Sequence, residues 1–478
     1  MKKGIKKEVL LELFLVAIAA SLMIEWAFTT NKIGGPDEPM RYQVAQYLYE
    51  HPGELPRGDE ETLLDPIWGL SYAFFPVLSY MVSAVFMWIT SVFADSADAL
   101  LHAARMADVL FVTIASWMTL RIGKHLFEDE RRWLFGCMVI FLPGYLFMGT
   151  YVNCDSLALM ASAMILLAWA RYLKQGWTWK NCILLACGMG ICFLSYYNAY
   201  GWILWSFVFF CATILGCSKE PMKVRIQFLF KRGLPIAGIT LAICGWWFIR
   251  NFLLYDGDIL GRNASNLCAE LHAMEEYKPS VHQTPQKMGW SLLSMFLCQP
   301  EGWPHNWFLM VFSSFIGTFG MFNIFMSETV NNLYLLFMLV GMAGMLFLLH
   351  ELDFRKKTVT IQRLPIQGTE EKYRIIKTVS VYREWSKKGV FHLCMAAGMI
   401  TPFLLLINYA YCSDFQAQGR YMISGIIPVM YFVTLGYGEL LKRFIKKENI
   451  YKWFYRASCV LWIIGAWYNY LTVIVPAY

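Results

Sequence analysis

Apolar residues come in runs near 20 residues long that recur along the whole chain, separated by short stretches rich in polar and basic residues. A run of that length is what a lipid-crossing helix requires, because a helix satisfies its own backbone where no water can. The runs predict spans at roughly 9–28, 104–123, 133–151, 156–173, 181–197, 199–217, 233–252, 331–350, 389–410, 421–440 and 453–475. Two further runs, 72–93 and 307–326, are ambiguous. If either crosses, the sidedness of every later loop reverses.

Basic residues settle the ambiguity, since cytoplasmic loops collect Lys and Arg. With 72–93 and 307–326 held on the outer side, 32 of the 41 Lys and Arg fall inside. They lie in the N-terminal segment and in loops 121–132, 171–180, 219–232, 355–388 and 442–456. The expected architecture is therefore an all-α polytopic protein of the cytoplasmic membrane. It has about eleven transmembrane helices, an outer-leaflet juxtamembrane helix at 72–93, an inside N-terminus and an outside C-terminus. The first run holds its one Ala-x-Ala inside the apolar stretch, which reads as a retained span. Three regions follow: a transmembrane module 1–255 with a first external loop 29–103, an external region 256–330, and C-terminal helices 331–478 with a cytoplasmic loop 353–388. That last loop carries β-forming residues and suits a small hairpin.

Composition agrees. The chain is 58% hydrophobic and 16% charged, against about a quarter charged in soluble domains. The net charge of +7 belongs to the basic inside loops, so no nucleic-acid partner is expected. The cysteines are mostly isolated in apolar segments and form no zinc spacing. Cys268 and Cys298 share one predicted outside loop and could pair.

The polar residues of interest collect on the outer side. In "NKIGGPDEPMRYQVAQYLYEH", Gly34-Gly35-Pro36 stops the first helix and Asp37 is placed to cap a second. Arg41, one turn on, has Asp37 or a phosphate as its partner. Asp155 stands at the start of a span, as a cap or as a site residue. Arg250 ends a span at "WWFIRN" and Arg420 begins one at "QGRY". Such arginines snorkel to headgroups or grip an anion.

"PDEPMRY" resembles the Asp-Glu motif in the first external loop of GT-C glycosyltransferases, polytopic enzymes that use lipid-phosphate-linked sugars. The lipid A aminoarabinose transferases and protein O-mannosyltransferases share it, as does an uncharacterised bacterial family with a Pro-Asp-Glu-Pro start. "AFFPVLSYMVSAVF", "GTYVNCDSLALMASAMILLAWARYL" and "QGRYMISGIIP" continue the resemblance in order. It is strongest over about 30–260.

The resemblance implies an inverting transfer of a sugar from a polyprenyl-phosphate donor to a glycan, lipid or protein acceptor of the cell envelope, among membrane lipids on the outer face. Asp37 would be the base and Glu38 its support. Asp155 would shape the donor pocket or help hold a divalent metal ion, the one cofactor the family leaves open. Arg41, Arg250, Arg420 and Tyr421 would bind donor. The aminoarabinose transferases carry a phosphate-binding Lys in a Thr-Lys-Gly stretch where this chain reads "CFLSYYNAYGW". Tyr196 and Asn198 there bring hydrogen bonds but no charge. A lipid or polysaccharide transporter is the alternative from another class, and an inactive glycolipid-binding relative is a third.

Overall fold

The computed structural model describes residues 2–30, 34–348, 355–358, 362–365, 373–376 and 382–478. Helix α1 (Lys2–Thr29) is followed by the short α2 (Glu38–Glu50), a single 3₁₀ turn at Tyr72–Phe74, and α3 (Leu78–Ser91). Then come α4 (Ala97–Leu126), α5 (Arg131–Ile140), α6 (Pro143–Phe147), α7 (Asp155–Gln175), α8 (Trp179–Phe193), α9 (Gly201–Leu215) and α10 (Met222–Leu254). The external region folds as α11 (Arg262–His272), α12 (Leu292–Leu297), α13 (Trp307–Gly317) and a two-residue antiparallel ladder, β1 (Thr318–Phe319) with β2 (Ile324–Phe325). Helix α14 (Glu328–Gly344) is separated from α15 (Lys387–Cys412) by strands β3 (Arg355–Thr358), β4 (Gln362–Pro365), β5 (Tyr373–Ile376) and β6 (Tyr382–Trp385). β3 pairs with β6 and β4 with β5, both antiparallel. The rest of the 353–388 loop, to 381, lies outside the described residues except for Arg355–Thr358, Gln362–Pro365 and Tyr373–Ile376. Helices α16 (Ile426–Phe444) and α17 (Glu448–Asn469) complete the bundle.

Among the described residues, nine helical stretches are long and apolar enough to cross a membrane. They account for nine of the eleven expected spans, and the chain is a multi-pass membrane protein. The other two expected runs do lead from one end of the bundle to the other, from Arg132 beside Glu8 to Val152 beside Glu38 and from Lys174 beside Glu128 to Tyr196 beside Tyr421, but not as single long helices. The run 133–151 is not one helix: Leu142 is extended (ψ 126°) ahead of Pro143, because a residue before proline is pushed out of the α region. The run 181–197 forms only the 15-residue α8, about 22 Å at 1.5 Å per residue. The two ambiguous runs are both short. α3 has 14 residues, well under the ~20 a span needs, as a juxtamembrane helix should. α13 stops after 11 residues and turns into the β1–β2 ladder. Cys268 and Cys298 are free thiols, not a disulfide.

Two helices form the centre. In α7 and in the Gly419–Phe444 stretch containing α16, 83% of the most apolar window is buried within the protein, against 33% for α1. Asp155 opens the first of these and Arg420 opens the second. Their N-terminal ends are therefore held by packing on every side. Close approaches tighten the same place. A Cβ on Gly35 would sit 2.1 Å from the Tyr151 ring, and one on Gly419 would sit 2.2 Å from the Phe315 backbone nitrogen.

Candidate functional site

Pro36 leads into Asp37, which lies in the left-handed region at φ 59° and makes no side-chain cap to α2. The capping role expected for Asp37 is thus corrected. Its carboxylate turns the other way. The Tyr72 hydroxyl donates to Oδ2 at 3.0 Å and Arg420 Nη2 donates to the same oxygen at 2.5 Å. Arg41 Nη2 stands 3.6 Å from it. Oδ1 is left without a described partner, and the side chain is 32% exposed. Burial alone would raise this acid, but the charges of Arg420 and then Arg41 outweigh it and pull the carboxyl from 3.8 down to about 2. Tyr72 is aimed by the 3₁₀ turn, where Ser71 Oγ accepts from the Ala73 N–H at 3.1 Å.

Arg41 is fully buried, not half of an exposed i,i+4 pair. Nη1 donates to Asp155 Oδ2 at 3.2 Å, and its guanidinium lies over the Tyr72 ring at 4.6 Å. It bridges the two acids. Asp155 is free to receive it because Asn153 does the capping of α7: Asn153 Oδ1 accepts from the Ser156 N–H at 2.9 Å. Arg420 is 6% exposed and does not snorkel. Besides Asp37 it donates to the Pro36 carbonyl at 3.2 Å. Three guanidinium nitrogens in this cluster, Arg41 Nε and Nη2 and Arg420 Nε, are buried with no hydrogen-bond partner.

Glu38 occupies a different environment. It is fully buried and accepts from the backbone N–H groups of Gly34 (2.7 Å), Gly35 (3.2 Å) and Val152 (3.0 Å). Arg105 adds a two-pronged grip, Nε to Oε1 at 2.8 Å and Nη2 to Oε2 at 2.9 Å. Arg105 also donates to the carbonyls of Ala27 and Thr30. The structure gives Glu38 a framework position that ties the first loop to α4 and to the approach to α7. Arg105 was visible in the sequence only as one outside basic residue. The usable signal was its place in "HAARMADVL", where an arginine inside an apolar run requires a partner.

Tyr421 donates to Gln416 Oε1 at 3.1 Å, and its ring stacks near Tyr196 at 6.3 Å. Two narrow cavities meet at Arg420. One, with about 340 Å³ of empty space, has a largely apolar wall including Phe147, Met148, Phe315 and Phe322. The other, with about 180 Å³, is lined by Asp155, Tyr196, Asn198, Arg420, Tyr421 and Ser424 among others. Arg250 lies apart. It donates to the Pro56 carbonyl and to Asn251 Oδ1 and covers the Trp247 ring, so it fastens the first external loop to the end of α10.

No group of three or more His, Cys, Asp or Glu that could hold a metal ion occurs among the described residues. Asp37 and Asp155 each already bind a guanidinium, so the cluster as folded does not present a metal site. Tyr72, Ser424, Gln416 and the buried Asp108, which accepts from the Ser156 hydroxyl, join the cluster only in the fold. Asp108 carried the same intramembrane signal as Arg105; Tyr72 carried none, because its role depends on where a 3₁₀ turn lands.

No protein-family model and no curated protein matches the chain. Among solved structures, the oligosaccharyltransferase of Archaeoglobus fulgidus in its apo form matches at 13% identity and a TM-score of 0.53, over 98% of this chain and 55% of that one. The A. fulgidus oligosaccharyltransferase AglB in complex with an inhibitory peptide and a dolichol-phosphate matches at 14% identity and 0.49, with 98% and 55% covered. ArnT from Cupriavidus metallidurans bound to undecaprenyl phosphate matches at 10% identity and 0.46, over 97% and 73%. The chain spans about half the length of the oligosaccharyltransferases it matches. At 13% identity the likeness to the oligosaccharyltransferase is one of fold.

Proposed function

We propose that the chain is an inverting glycosyltransferase that moves a sugar from a polyprenyl-phosphate donor to a hydroxyl of a cell-envelope acceptor on the outer face of the cytoplasmic membrane. One observation carries the reading: Asp37 has one carboxylate oxygen clamped by Tyr72 and Arg420 and the other without a described partner, beside guanidinium nitrogens that have no hydrogen-bond partner. The second oxygen takes the proton of the acceptor hydroxyl. The acceptor oxygen attacks the anomeric carbon from the side opposite the phosphate. The carbon–oxygen bond to phosphate breaks, its electron pair stays on the phosphate, and Arg420 with Arg41 receives that charge. Asp155 orients Arg41, and the donor's chain lies along the groove flanked by α3. The fold shared with an oligosaccharyltransferase supports the reading, and the basic loops support the sidedness.

The test is transfer of label from a polyprenyl-phosphate sugar by the purified protein. Asp37→Asn is the informative variant, because asparagine tolerates the left-handed backbone that position requires. It should still fold, melting below wild type because Arg420 loses its charged partner, while turnover falls at least ~100-fold. Wild-type turnover in Asp37→Asn would remove Asp37 as the base. A second reading, a glycolipid-binding relative without turnover, draws on the absent lysine in "SYYNAYGW" and the direct Arg420–Asp37 pair. It predicts Arg420-dependent lipid binding and no transfer.

A further inference from the structure

We propose that the smaller cavity beside Arg420 is a subsite for one neutral, hydroxyl-bearing arm of the donor sugar, and that Ser424 is a specificity-determining residue within it. The proposal rests on the lipid-linked transferase reading above. Ser424 is the penultimate residue of the 3₁₀ segment Gly419–Gly425 that carries Arg420. Its carbonyl accepts from Trp202 Nε1 at 3.1 Å, which fixes the backbone. The residue is 5% exposed, it lines the cavity, and its Oγ is buried with no partner. Buried hydroxyls are rarely left unmet, so one here calls for a group supplied from the cavity.

The walls say what that group is. The cavity has room for about one water-sized group, about 10 Å³, so it suits a single hydroxyl and not a ring. Asn198, Tyr196 and Ser424 offer both donors and acceptors. Asp155 is already neutralised by Arg41 at 3.2 Å, and Arg420 lines the same wall. A protonated amine would face the Arg420 guanidinium and no uncompensated carboxylate, whereas a hydroxyl meets no such penalty. Arg420 lines the cavity and also holds Asp37, so a phosphate on Arg420 places its sugar within reach of both the base and the Ser424 subsite.

The experiment measures binding of three probes to the full chain in nanodiscs: bare undecaprenyl phosphate, undecaprenyl-phosphate-linked glucose, galactose or mannose, and the corresponding amino sugars. At least one neutral hexose lipid should bind wild type more tightly than the bare lipid and than its amino counterpart. Ser424→Ala should erase about 10-fold of that preference and leave the bare lipid unchanged, with Asn198→Ala acting in the same direction. The subsite alone is overturned if the bare lipid binds in an Arg420-dependent way but no hexose adds affinity, if Ser424→Ala and Asn198→Ala leave every ratio unchanged, or if the amino sugars bind best. If wild type binds neither the bare nor any sugar-bearing lipid, the transferase reading falls and the subsite with it.

Discussion

The pairing of Arg420 with Asp37 poses a problem at the scale of single residues. A carboxyl held down at about 2 is ionised at any working pH but is a feeble base. In the proposed mechanism, however, the same guanidinium receives the donor's phosphate. When phosphate competes for Arg420, Asp37 loses its strongest attraction and its affinity for a proton rises. The acid limb of kcat/KM, which reports the free enzyme, should therefore lie lower in pH than the acid limb of kcat, which reports the complex. Coincident limbs in the two profiles would show that Arg420 stays on Asp37 during turnover. For stability, a depressed carboxyl contributes above its unfolded value and that contribution is lost as pH falls through about 2. Ionisation of Asp37 should leave the melting temperature flat between about pH 5 and 8. Substituting Arg420 tests the phosphate side. Lysine keeps the charge but loses the fork, so donor affinity should fall from wild type to Lys to Ala, the first step costing about 1–2 kcal/mol. Equal donor affinity in wild type and Arg420→Ala would take Arg420 out of the donor site.

Among elements, the first loop shows why two adjacent acids have different duties. Asp37 and Glu38 are neighbours in the chain, yet α2 starts between them and sends their carboxylates to opposite environments. Glu38 holds Gly34, Gly35, Val152 and Arg105, so removing its charge leaves the Arg105 guanidinium buried beside a neutral amide. Glu38→Gln should lower stability by about 3–5 kcal/mol, seen as an earlier thermal transition in detergent and weaker expression. Any folded fraction should retain more activity per molecule than Asp37→Asn. The sequence made Asp37, Arg41, Asp155 and Arg420 legible because each is a charge at the edge of an apolar run. It did not reveal that Arg41 would reach Asp155 across 114 residues, since long-range pairing follows from packing and not from local pattern. Helix ends were legible where proline or glycine marks them. The break at Leu142–Pro143 was passed over because the flanking residues are apolar on both sides and hydrophobicity alone cannot tell a broken helix from a span.

On the scale of the whole molecule, function depends on sidedness. Every role given to Asp37 and Arg420 requires their end of the bundle to face away from the basic loops. The thiols offer a direct measurement, since all thirteen are free and Cys412 is the exposed one. Cys412 ends α15, two residues before Asp414, on the expected outer side. An impermeant thiol reagent added to intact cells should modify Cys412, and Cys412→Ser should lose that labelling. A Cys-free chain then accepts single cysteines at Asp59 in the first external loop and at Glu128 between α4 and α5, whose side chains are 58% and 90% exposed. Position 59 should label in intact cells, and position 128 only after the membrane is opened. The reverse pattern would place Asp37 and Asp155 inside, with the basic loops outside against the charge bias of membrane insertion. A transferase acting on the outer face could not then use this cluster, however well its oxygens and guanidiniums are arranged.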